Sequence, residues 1–158
     1  MKKLINSLKK LEKEKSNIYC GKGVFTEFTI DFKSGISEKE VKASTKLNLP
    51  GDYVELLKFS NGVNFFEYSD CQIYNLQTAI ELSKIDCWAN NDILCIATCH
   101  EDSIYLKCDG SERNIYVSEE GIEELRALNM SFKAFLEAGL ISGFSYFWLW
   151  GTANYDLY

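Results

Sequence analysis

One proline in 158 residues fixes the most constrained stretch of this chain, Leu47-Asn48-Leu49-Pro50-Gly51-Asp52-Tyr53-Val54-Glu55-Leu56-Leu57-Lys58-Phe59-Ser60-Asn61-Gly62. Pro50 suits the first position of a helix, where its missing N–H has no partner to lose and its fixed φ is already helical. Tyr53, Leu56 and Leu57 follow at spacings of three to four, which predicts one apolar helix face. Asn61-Gly62 supplies residues that tolerate a left-handed exit. Upstream, Ser37 and Glu40 have the spacing of a capping box, with Ile36 and Val41 placed as a hydrophobic staple. The reading is a short helix from Ser37 to about Lys46, a Leu-Pro turn, and a second short helix.

These residues carry a resemblance. Val41, Leu47, Leu49, Pro50, Tyr53, Leu57, Asn61 and Gly62 resemble the opening motif of the SUKH superfamily, which includes cell-wall-assembly-regulator domains and bacterial immunity proteins of polymorphic toxin systems. Ile96-Ala97, Asp102, Ile104-Tyr105-Leu106, Ile115-Tyr116-Val117 and Ser131-Phe132-Lys133-Ala134-Phe135-Leu136 look like its later elements in the same order. The resemblance covers roughly residues 36–140. It implies an α+β domain with a sheet after the helical pair, and a binding role.

The rest of the chain reads compatibly. Leu4, Ile5, Leu8 and Leu11 make an amphipathic stripe that predicts a first helix docked on the core, lysines outward. Phe28, Ile30 and Phe32 alternate as a strand. Strands are expected at 63–68, 71–76, 93–98, 103–108 and 114–117, with a short helix at 78–84. Ile122, Leu125 and Leu128 suggest another helix, and Ser131 is expected to cap a helix from Phe132 to Ala138 closed by Gly139. Helices at both ends of a run of antiparallel strands give one α+β domain over 1–158, a mostly antiparallel sheet flanked by N- and C-terminal helices. The aromatic tail, Phe144 to Tyr158, reads first as sheet or core packing and second as a partner patch.

Charge is divided unevenly. Residues 1–50 hold 11 lysines against 6 acidic residues, whereas residues 51–158 hold 6 basic against 17 acidic, for −6 overall. An acidic body repels nucleic acid and attracts basic proteins. The start lacks a continuous apolar signal region, and no apolar run approaches the ~20 residues of a membrane span, so the expected location is the cytoplasm, away from membranes. The six cysteines are expected to be free, buried thiols. Cys95-x-x-x-Cys99-His100 lacks the paired spacing of a structural zinc site, so neither metal nor cofactor is expected.

No nucleophile elbow, phosphate loop or zinc-protease helix is present, and Cys99 and His100, adjacent in an extended strand, would point apart. The chain is therefore expected not to be an enzyme, a Cys99–His100–Asp102 hydrolase being the weakest alternative. The resemblance and the charge together lead to an immunity protein that binds a cognate toxin, a basic nuclease domain. The expected contacts are Glu101, Asp102, Asp109, Glu112, Glu119, Glu120 and an exposed Trp148 or Trp150. The alternative is a non-enzymatic adaptor of the cell-wall-regulator type.

Overall fold

The computed structural model describes residues 1–14, 16–19, 25–65, 71–85, 92–118, 124–144 and 147–149. Helix α1 (Lys2–Glu14) opens the chain and buries Leu4, Ile5 and Leu8 as its stripe requires. Strands β1 (Ser16–Tyr19) and β2 (Phe25–Phe28) pair as a separate antiparallel hairpin. The alternating Phe28-to-Phe32 segment is thus split, because only β3 (Ile30–Phe32) joins the main sheet.

Helix α2 (Glu38–Ser44) has both halves of the capping box: the Ser37 N–H donates to Glu40 Oε2 (2.7 Å), and the Glu40 N–H to Ser37 Oγ (3.2 Å). Helix α3 (Gly51–Phe59) begins one residue later than expected, with Pro50 in the cap position and its carbonyl accepting the Val54 N–H. A residue that needs no N–H serves equally there. Tyr53, Leu56 and Leu57 are buried. Beyond α3, Asn61 Oδ1 accepts the Leu76 N–H, and Gly62 takes φ +112°, so both residues serve the fold.

Strands β4 (Val63–Phe65), β5 (Cys71–Ile73), β6 (Ile93–Cys99), β7 (Asp102–Lys107), β8 (Ile115–Ser118) and β9 (Arg126–Ala127) complete a seven-stranded antiparallel sheet with β3, each strand beside its chain neighbours. Helix α4 (Leu76–Ile85) links β5 to β6. Register sets the inner face: Phe32, Val63, Ile73, Ala97, Ile104 and Val117 line up across six strands. The next row runs Ile30, Phe65, Cys71, Cys99, Asp102.

The register of β6 against β7 slips between Cys95 and Ala97. Period two therefore breaks at Ile96-Ala97, and both side chains, with Leu94 and Cys99, join the main core. Ile93 and Cys95 pack on the other face with Tyr105, against Tyr74, Leu82 and Tyr116. The bulge switches the inward-facing parity, from even residues before it to odd residues after it.

The expected helix around Ile122–Leu128 is not what forms among its described residues. Arg126 and Ala127 pair with Val117 and Tyr116, and the Leu128 N–H donates to the Ile115 carbonyl. Ladder bonds to β8 outweigh a weak three-residue helical pattern. Helix α5 (Phe132–Ser142) is capped by Ser131, whose Oγ accepts the Ala134 N–H, and it runs past Gly139 to end at Gly143 with φ +63°. Gly139 instead makes room for a ring, since a Cβ there would overlap Phe144. The reversal drops Phe144 beside Phe65 (ring centroids 4.6 Å) and brings Phe147 and Trp148, in a 3-10 turn over Phe147–Leu149, against Phe135.

Cys71 and Cys99, opposite each other on β5 and β6, are joined as a disulfide, contrary to the expected free thiols. Sequence spacing could not show that register brings them together. Cys95 and Cys108 are buried and stand outside any disulfide.

Candidate functional site

The acidic residues proposed as partner contacts are sorted by strand β7. Glu101 lies in the turn before it; Asp109 and Glu112 lie in the turn after it. Six strand residues separate the two turns by roughly 20 Å. They do not form one patch.

Asp102 and Trp148 are not on the surface. Each is about 5% exposed, and the indole Nε1 donates to Asp102 Oδ2 at 2.9 Å. Period two explains Asp102, which shares the parity of inward-facing Ile104 and Leu106. Trp148 is held by the turn after α5, and its carbonyl also accepts from Arg126 Nη1 at 3.2 Å. Both are corrected from contact residues to core residues. Glu119, Glu120 and Trp150 lie outside the described residues.

The Cys99–His100–Asp102 grouping does not assemble as a relay. Cys99 is bonded to Cys71, Asp102 accepts from Trp148, and His100, at φ +56°, directs Nε2 to the Phe144 carbonyl at 3.1 Å. His100 and Asp102 tie down the C-terminal segment, and Cys99 ties β6 to β5. Among the described residues no group of three or more His, Cys, Asp or Glu side chains could hold a metal ion.

Where Glu112 sits, in the turn that begins at Asp109, the structure has a cavity of about 500 Å³. It lies between the Asn48–Asp52 turn, the Gly110–Asn114 turn and the start of α5 at Ser131. The two turns are tied by a parallel bridge between Asn48 and Asp109. Asp52 anchors the corner: Oδ1 accepts the Tyr53 N–H (2.9 Å) and Oδ2 accepts the Lys133 N–H (2.8 Å). One carboxylate therefore serves the N-termini of two helices, where unpaired N–H groups and helix dipoles favour negative charge. The Asp109 carboxyl is held below its ordinary value, first by the Ser111 N–H and then by Lys107, whose Nζ is 3.0 Å away. Glu112 is exposed and has no ion pair among the described residues. Glu101 is likewise exposed and free of one.

A second groove of about 440 Å³ lies between α2 and α3, with Val41, Leu47, Leu49 and Val54 in its walls and Glu38, Lys42, Glu55 and Lys58 around them. The Asn48-Leu49 turn borders both grooves. Sequence reasoning found Asp109 and Glu112 but missed Asp52 and Asn114. For Asp52 the available signal was an acidic residue in the first turn of a helix; for Asn114 it was a lone polar residue opening an apolar strand.

The SMI1 / KNR4 family (SUKH-1) matches residues 35–138, which runs from the turn before α2 into α5. The chain belongs to that family. The match takes in the α2–α3 pair, the sheet from β4 to β9 and both grooves. Its general role is thus that of a SUKH-type domain, of the toxin-immunity or SMI1/KNR4-like kind. A search of curated proteins returned no match. No helix among the described residues is long and apolar enough to cross a membrane.

Proposed function

We propose that this SUKH-1 domain is a cytoplasmic immunity protein that binds a cognate toxin, a basic nuclease domain, and blocks it without chemistry of its own. The observation that carries the reading is the carboxylate-lined cavity built by the family's own Leu-x-Leu-Pro turn, on a body whose residues 51–158 are strongly acidic. A nuclease must hold phosphates with basic side chains, so an acidic inhibitor gains electrostatic steering and competes for those groups. Glu101, Asp109 and Glu112 remain proposed contacts, and so do Glu119, Glu120 and Trp150.

Co-expression with the product of the adjacent gene tests this. The expected result is a co-purifying complex, restored growth of cells making that product, and nuclease activity suppressed by the purified domain. Growth and nuclease activity unchanged by the domain would refute it. The α2–α3 groove, with its apolar wall and charged rim, favours a second reading, a regulator that holds a helical or extended segment of a host protein. Capture of host proteins with no effect on the neighbouring gene product would support that alternative.

A further inference from the structure

The cavity between the Asn48–Asp52 and Gly110–Asn114 turns holds a polar atom that the fold does not use. Asn114 is only 2% exposed. Its backbone is fully engaged, the N–H donating to the Met130 carbonyl (3.1 Å) and the carbonyl accepting from the Lys107 N–H (2.8 Å). Its side-chain Nδ2 donates to the Ser111 carbonyl at 3.0 Å, which fixes the orientation of the amide and sets it in the cavity wall beneath the Ser111 turn. Oδ1 is left without a donor among the described residues. A buried acceptor without a donor costs about 1–3 kcal/mol, a cost that a donor brought into the cavity would remove.

The chemistry of the walls says which partner. Among the described residues no lysine or arginine lines the cavity, whereas Asp52 and Glu112 do. The two helix N-termini that open there could have favoured an anion. Asp52 already caps both, and Ser131 Oγ takes the Ala134 N–H, so that attraction is largely spent. What remains is a set of acceptors: the Glu112 carboxylate, the outer lone pairs of Asp52, and Asn114 Oδ1. A planar cation with several N–H donors satisfies such a set better than a point charge.

We propose that this cavity receives an arginine side chain of the protein partner, with Glu112 supplying the charge and Asn114 Oδ1 the buried acceptor. The proposal rests on the immunity reading for its partner and on the cavity alone for its chemistry. The guanidinium enters between the two turns.

The test is an amide NMR titration of the full chain with Nα-acetyl-arginine amide, its neutral isostere Nα-acetyl-citrulline amide serving as control. The expected result is saturable shifts at the Asn114 side-chain amide, Gly51 and Gly110 at roughly millimolar concentrations. Citrulline should give none, and Glu112→Gln, an exposed change that leaves the fold intact, should weaken the arginine response roughly two- to fivefold. Equal response to both probes, or shifts confined to other surfaces, overturns the proposal. The neighbouring toxin separates the two claims. If the wild-type domain neutralises it and Glu112→Gln binds it unchanged, the cavity assignment falls and the immunity reading stands. If the wild-type domain leaves the toxin active while arginine amide still binds at Asn114, the immunity reading falls alone.

Discussion

Trp148→Phe is the sharpest test of how the C-terminal segment is held. The substitution removes one donor, the indole Nε1–H that reaches Asp102 Oδ2 at 2.9 Å, and leaves an aromatic ring against Phe135 and Phe147. Both partners are about 95% buried, so water cannot replace the lost donor. A hydrogen bond to a charged acceptor contributes about 1.5–3 kcal/mol, and the space left by the smaller ring adds to that, giving roughly 2–4 kcal/mol. For a domain of this size each kcal/mol lowers Tm by about 2–4 °C, so a fall of roughly 5–15 °C is expected. Urea unfolding followed by far-UV circular dichroism avoids dependence on the altered tryptophan. Asp102→Asn keeps an oxygen that can accept from the indole and should cost less than Trp148→Phe. In the double mutant the two losses should not add, with a coupling of about 0.5–3 kcal/mol. Additivity within about 0.3 kcal/mol would show that the indole–carboxylate bond does not hold the segment, and the assignment of Asp102 to the core would fail with it.

Three further outcomes follow from particular contacts. Gly139→Ala places a methyl group where the buried Phe144 ring sits and should destabilise by about 1–3 kcal/mol in chemical denaturation, whereas Gly51→Ala, facing open space, should change stability by less than about 1 kcal/mol. Tyr53→Phe removes a hydroxyl that is fully buried with no hydrogen-bond partner among the described residues, so stability should hold or rise by up to about 1 kcal/mol; a loss above about 2 kcal/mol would reveal a partner for that oxygen. The Ser37 hydroxyl and N–H hold the Glu40 carboxyl below its ordinary value, so its stabilisation is present above the unfolded carboxylate pKa and disappears as pH falls through the folded one. Glu40→Ala should therefore be less stable than wild type at neutral pH and converge with it only as pH falls below the ordinary carboxylate range, measured as Tm against pH.

Local chemistry made much of the fold legible. The Ser37–Glu40 box, the Pro50 helix start, the Ser131 cap and the α1 stripe each involve residues within one or two helical turns, where spacing alone determines contact. What depended on strand register was hidden. The Cys71–Cys99 pair and the face-switch of β6 follow from which residue stands opposite which, and the Cys95–Ala97 slip has no marker in composition. The cavity was half visible for the same reason. Glu112 announces itself as a charge in a turn, but Asp52 and Asn114 acquire their roles only when residues 62 positions apart are brought to one corner of the sheet.

The neighbour-by-neighbour order of the sheet has a consequence for a chain still being made. Every ladder from β3 to β9 can close as soon as its own two strands have left the ribosome. The inner face does not close with it, because Phe132, Phe135, Phe144 and Trp148 come last and act as the stopper. A nascent or truncated chain ending before α5 would display a paired sheet with an oily, open underside, the state most prone to clump with its siblings.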